Sequence, residues 1–233
     1  LSATFALEMG FNSADGNFAE NAFNRKATVG LKGAFGEVRI GKDSTPMNEF
    51  DGSFKAIDRT TTLAEQVAGR DASWEARPTG LFYNGTFSGV SVSAAIGNNS
   101  ERTKTAGATT AKRDAAVYGL GLGYNGGAWA VGAAFQHETK KGFSTAAMNL
   151  PVVTEYNNKV TNYGVGASYD FTVAKLYGQY KGGQYKNKMP AGDKYSYDQF
   201  AIGVSAPFGA TTLSAEYGYN KAKETTTTAV TKF

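Results

Sequence analysis

The chain has no cysteine and a single histidine, His137, among 233 residues. Without cysteine there is no disulfide framework, no thiolate metal site and no cysteine nucleophile. One histidine leaves little material for a zinc site or a Ser-His-Asp triad, so no metal, cofactor or catalytic residue is expected. Proline is scarce, at 5. No run approaches the roughly 18 apolar residues of a spanning helix, and mean hydropathy is −0.35. A helical membrane protein is excluded. A β-barrel is not, because its strands alternate apolar and polar residues and score polar on average. Neither sign of charge dominates: 24 Lys and Arg against 20 Asp and Glu give +4. The basic residues are scattered, with no basic stripe or stacking motif, so no nucleic-acid partner is expected. The chain opens at Leu1 without a basic n-region or an apolar h-region, so no signal peptide is read in it.

What is present is glycine, at 29, aromatic residues, at 13%, and period-two alternation repeated along the chain. Val90, Val92, Ala94 and Ile96 share one face; Ser91, Ser93 and Ala95 share the other. Trp129, Val131, Ala133 and Phe135 oppose Ala130, Gly132, Ala134 and Gln136. Tyr163, Val165, Ala167 and Tyr169 oppose Asn162, Gly164, Gly166 and Ser168. Side chains alternate across a strand, so each segment has an apolar face and a small or polar one. A soluble sandwich would bury bulky aliphatics on its inner face. Small polar groups suit a wet lumen better. Aromatics near strand ends, as in Tyr118 and Tyr124, fit interfacial girdles. The pattern points to an all-β, transmembrane antiparallel barrel.

The connections alternate as well. Short ones fall at 34–36, 86–89, 125–127, 170–172 and 207–209; long polar ones at 12–24, 44–77, 98–114, 139–160 and 183–196. Short turns on one side and long loops on the other describe a bacterial outer-membrane barrel. Eleven strands are predicted: 2–10, 25–33, 36–43, 79–85, 89–97, 115–124, 127–138, 161–170, 173–182, 196–206 and 210–220. Bacterial single-chain barrels have even strand counts. An odd count, an abrupt start and a Thr-rich close at 221–233 predict a single domain over 1–233 that is incomplete at both ends.

Three segments carry a family resemblance. The first runs Phe23-Asn24-Arg25-Lys26-Ala27-Thr28-Val29-Gly30-Leu31-Lys32-Gly33-Ala34-Phe35-Gly36 and on through Arg39, Gly41 and Lys42. The second is Glu75-Ala76-Arg77 followed by Leu81-Phe82-Tyr83-Asn84-Gly85-Thr86-Phe87-Ser88-Gly89. The third is Gly121-Leu122-Gly123-Tyr124-Asn125-Gly126-Gly127-Ala128-Trp129. Together with Leu7-Glu8-Met9-Gly10-Phe11 they resemble Gram-negative porins of the neisserial, β-proteobacterial type. Lys42 stands where that family reads arginine, and Gly85-Thr86 replaces its Ser-Pro turn.

The resemblance implies a barrel of about sixteen strands, of which roughly eleven are represented here. It implies a homotrimer in the outer membrane of a Gram-negative bacterium, among lipid and lipopolysaccharide. It implies no enzymatic activity, but passive diffusion of ions and small hydrophilic solutes through a water-filled hole. The third extracellular loop of such a barrel folds into the lumen, and by position that loop is 44–76. Parity places Val29, Leu31, Val38 and Ile40 against lipid, and Lys26, Thr28, Lys32, Glu37 and Arg39 inside. A charge facing lipid at mid-bilayer would cost roughly 2–4 kcal/mol, which favours this parity. The expected narrow zone sets Lys26, Arg39 and Arg77 against Glu49, Asp51 and Asp58, with weak anion selectivity from the wall cations. The competing readings are a barrel enzyme, a plugged anchor barrel and a soluble β-sandwich adhesin. Gly119, Gly121 and Gly123 superficially match a nucleotide-binding loop, but no helix follows them.

Overall fold

The computed structural model describes residues 1–10, 23–57, 76–98, 101–105, 108–145, 153–187, 194–225 and 230–232. They form one antiparallel sheet of 13 strands and one short helix. In chain order these are β1 (Ser2–Glu8), β2 (Lys26–Gly33), β3 (Gly36–Lys42), α1 (Pro46–Ser53), β4 (Thr79–Phe87), β5 (Val90–Asn98) and β6 (Glu101–Thr105). There follow β7 (Ala108–Asn125), β8 (Trp129–Thr145), β9 (Val153–Asp170), β10 (Lys175–Asn187), β11 (Lys194–Phe208), β12 (Thr211–Thr225) and β13 (Val230–Lys232). Each strand pairs with its sequence neighbours, except that β5 pairs β7 directly and β6 pairs only the outer part of β7. β1 and β13 end the order and do not pair with each other.

All eleven predicted strands are present. Three predicted loops are shorter than the sequence indicated. The stretch 98–114 contains β6 and the start of β7, and the stretches 139–160 and 183–196 are largely ladder. The close at 221–233 is not simply a loop, since β12 runs to Thr225 and pairs β13. A bilayer needs only about 9–11 residues of tilted strand. β7 and β9, at 18 residues each, therefore climb well past it. Backbone pairing is as favourable in water as in lipid, and polar sequence there hides the strand from hydropathy reasoning.

The outer face follows the predicted parity. Val29 and its cross-strand partner Ile40 are 64% and 62% exposed, while Thr28, next to Val29 in the strand, is buried at 3%. Leu120, Leu122, Val131, Val165, Ile202 and Leu213 continue the same exposed apolar surface across the sheet. At the short-turn end Tyr124 and Trp129 stack at 5.0 Å, Tyr169 and Phe171 at 4.5 Å, and Tyr83 donates its hydroxyl to the Phe35 carbonyl at 2.7 Å. Near the other end Tyr180, Phe200 and Tyr219 lie in one cross-strand row. Amphipathic rings in two rows around an apolar band are what a bilayer's two interfaces select. The short turns are tight. Between β4 and β5 only Ser88 and Gly89 intervene, at φ 49° and 84°, the pair of positive φ values that a two-residue hairpin of right-handed twist requires.

The sheet is curled. The segment 45–57 touches residues from β4 to β12: Asn84 lines the same cavity as Glu49, and Glu216 accepts hydrogen bonds from the Ala56 and Ile57 N–H groups at 3.0 and 3.3 Å. Neighbouring strands lie about 4.8 Å apart, so a flat sheet would put β4 and β12 about 34 Å apart, beyond a segment whose eight helical residues span only about 12 Å.

Candidate functional site

The excursion after β3 is pinched at its neck. Asp43 N–H donates to the Pro78 carbonyl at 3.3 Å and Thr45 N–H to the Ala76 carbonyl at 3.1 Å. Arg77 straps the neck, donating from Nη1 to Ser44 Oγ at 2.6 Å and to the Arg25 carbonyl at 3.3 Å. Beyond the neck the chain forms α1. Pro46 suits its first position, where a missing N–H costs nothing, and the Thr45 carbonyl accepts from Asn48 and Glu49 N–H. The Thr45 hydroxyl does not cap the helix; it donates to Gln136 Oε1 on β8.

Eight residues make too short a helix to persist alone. Docking holds it. Met47, Phe50 and Phe54, spaced three and four apart, are 0%, 6% and 8% exposed. The surface that receives them is made of glycine. A Cβ at Gly164 would lie 2.3 Å from the Phe50 ring. At Gly166 and Gly132 it would lie 2.5 and 2.8 Å from the Phe54 ring. At Gly121 and Gly119 it would lie 3.1 Å from Pro46. All five face inward on β7, β8 and β9. The small face that the sequence assigned to a wet lumen is here covered by the helix. The Gly119–Gly123 run is part of this seat, which disposes of the nucleotide-loop likeness.

Ion pairs hold the helix at its far side. Asp51 pairs with Lys55 at 2.6 Å and with Lys181 of β10, which is fully buried. Burial alone would raise the Asp51 carboxyl, but the charges and hydrogen bonds of Lys181 and Lys55 hold it below the usual carboxylate range. Glu49 differs. The protein around it and the Asp43 carboxylate push its carboxyl above the usual range. Its side chain nevertheless opens on lumen water, which limits the effect.

The wall opposite carries its own neutralisation. Arg39 donates to Asp43 Oδ2 at 3.0 and 3.1 Å, to Glu37 Oε2 at 2.9 Å and to Asn84 Oδ1 at 2.8 Å. Lys26 reaches Asp43 Oδ1 at 2.9 Å. Asp43 is fully buried; two cations and the Ser44 N–H, at 2.8 Å, satisfy it. Of the predicted residues, Lys26 and Arg39 come together, but on Asp43 rather than on the loop acids. Arg77 lies at the neck, Glu49 faces the lumen, Asp51 is tied to the far wall, and Asp58 lies outside the described residues. Asp43 and Asn84 were missed; Lys181 and Glu216 fall on polar faces of the strand pattern but were not set in the narrow zone. The spacing of Met47, Phe50 and Phe54 was the available signal for a docked helix. Between α1, the inner faces of β2–β5 and the inner faces of β7–β8 a cavity of about 940 Å³ stays open, lined by Lys32, Glu37, Glu49, Asn84 and Ser91 among others.

An apolar lipid-facing exterior, two aromatic belts and a charged interior entered by the segment 45–57 define the wall of a transmembrane β-barrel. The chain belongs to the Gram-negative porins, whose family profile matches residues 1–232, and such proteins reside in the outer membrane. An outer membrane porin protein of Bordetella pertussis is 27% identical over 241 residues, covering 90% of this chain and 60% of its own length. Outer membrane porin protein 32 of Delftia acidovorans is 30% identical over 219 residues, covering 90% and 57%. The anion-selective porin from Comamonas acidovorans shares the fold, with a TM-score of 0.65, 21% identity, and coverage of 95% of this chain and 66% of that one. The trimer form of OmpT from Vibrio cholerae gives a TM-score of 0.54 at 18% identity, covering 90% and 76%. The chain thus spans about 60% of the length of the curated relatives it matches.

Proposed function

We propose that the complete protein forms a water-filled channel for passive diffusion of ions and small hydrophilic solutes, and that it is a conduit rather than an enzyme. The observation that carries this reading is the seated helix. It narrows the lumen from one side and leaves a polar cavity open on the other. The complete protein forms the channel as a homotrimer among outer-membrane lipid and lipopolysaccharide, a reading supported by the trimer form of OmpT. The segment 44–76 acts as the constriction loop.

Selectivity is weak because most charges near α1 are paired on their own side. Its sign follows from the open flank. Asp43 and Glu37 neutralise Lys26 and Arg39 on that wall, so the excess cations are Lys32, which lines the cavity, and Arg77 at the neck. Among the loop acids of the predicted zone, Asp51 is committed to Lys181 and Lys55, leaving Glu49 to face them. Anions are therefore favoured. The test is the reversal potential of the full-length protein in a planar bilayer under a salt gradient. Stepwise conductance with an anion-directed potential, reduced by Arg39→Gln, is the expected result. A cation-directed potential overturns the selectivity. A folded protein that does not conduct overturns the channel and leaves a plugged anchor.

A further inference from the structure

The outward face of β9, β10 and β11 carries a charge pattern that the pore does not use. Lys186 of β10 stands directly opposite Lys159 of β9 on one side and Lys194 of β11 on the other. Their neighbours Val160, Tyr185 and Tyr195 are buried on the inner face, so the three lysines point away from the lumen. Directly opposed side chains have Cβ atoms about 4.5–5.5 Å apart, and like charges there repel. Lys186 takes part in two such contacts. The flanking partners bring no relief, since Lys159 also faces Thr139 and Lys194 faces Thr225. Among the described residues of these three strands, the outward acid below them is Asp198. It faces Lys221 and accepts the Tyr180 hydroxyl at 2.5 Å.

Position gives the row a meaning. Lys159 lies four residues beyond Tyr163, roughly 13 Å along the strand. The aromatic row of Tyr180, Phe200 and Tyr219 lies a further step toward mid-strand. Lys159 and Lys186 stand eleven residues from Asp170 and Lys175 at the short turn, about the length of tilted strand that crosses the hydrocarbon, so the lysines emerge at its outer edge, on the side of the long loops. In an outer-membrane barrel that side is the outer leaflet, and a headgroup layer of roughly 5–8 Å begins there. Three cations in register, facing sideways into that layer, form a surface that an anion relieves.

We propose that Lys159, Lys186 and Lys194 form a docking site for the phosphate-bearing headgroup of an outer-leaflet glycolipid. The site rests on the reading that this outer face meets the outer membrane. A phosphate dianion accepts hydrogen bonds from several ammonium groups at once, so no bridging divalent cation is required.

The test uses full-length, delipidated protein in detergent with EDTA present. Diphosphoryl lipid A binds the wild type about tenfold more tightly than its dephosphorylated form. The variant K159Q/K186Q/K194Q loses that difference and conducts like the wild type. A second reading needs no bound lipid. Lys186→Gln raises the unfolding midpoint in lipid-free detergent, by removing the shared repulsion, and lipid A reverses the order. Equal lipid A binding by wild type and triple variant overturns the site. So does stabilisation by inorganic phosphate that matches lipid A, or binding that EDTA abolishes. A protein that binds through the lysines but does not conduct sinks the channel reading instead, so the two failures are separable.

Discussion

Two flanks of the same inner wall follow one alternation and do opposite things. On β2–β4 the inward positions include Lys26, Arg39, Glu37 and Asn84, which form a self-neutralised ion cluster around the buried Asp43. On β7–β9 the inward positions beside α1 are glycines, and the aromatic face of α1 fills the room they leave. The difference is one of side-chain volume. Where side chains are long and charged, the lumen stays wet. Where they are absent, the loop comes in, and the open cavity lies to one side of it as a result.

Filling the seat should break that comparison most strongly. Gly164→Val with Gly166→Val drives side chains into the Phe50 and Phe54 rings. Strands tolerate valine, so the wall survives while α1 is displaced, and single-channel conductance rises about twofold. Unchanged conductance would mean that the helix does not define the bore. A smaller effect comes from the far anchor. Lys181→Met strands the Asp51 carboxylate with Lys55 alone; breaking a buried pair costs about 3 kcal/mol, read as a lower unfolding midpoint and faster proteolysis of the loop. Adding Asp51→Asn restores most of the loss, and failure to do so would refute the pair.

The smallest effect is in pH. Glu49 is held above the usual carboxylate range, so acidification neutralises it first and raises anion preference above about pH 4.5, before ordinary glutamates titrate. Glu49→Gln removes that step. Asp51 is held below the range. Its contribution to the seat is complete above the unfolded carboxylate value of about pH 4 and is lost only as pH falls through the depressed one. A seat that loosens between about pH 6 and 5 would contradict that sign, with unfolding midpoints as the measure.

The outer face was legible because alternation is local. Val29, Leu31 and Ile40 each declare their side relative to their neighbours, and exposure follows suit. The loop ends were less legible, since polar residues in 101–105, 108–113, 139–145 and 153–158 pair as well in water as apolar ones do in lipid. Lys26 and Arg39 were placed on the correct face. Their partner was not foreseen, because Asp43 ends β3 and a carboxylate at a strand end gives no local sign of being fully buried. Lys181 and Asp51 lie 130 residues apart, and nothing in either neighbourhood marks the other.

By itself, then, the sequence determined the antiparallel barrel wall, its lipid-facing residues and the family, since each depends on spacings of a few residues. The tertiary structure alone decided which inward faces are pore and which are seat. A glycine reads the same whether water or a phenylalanine fills the space beside it, and only the curl of the sheet brings α1 to Gly132, Gly164 and Gly166. It likewise decided that Lys159, Lys186 and Lys194 share one row, because register across three strands is a property of their pairing and not of any single segment.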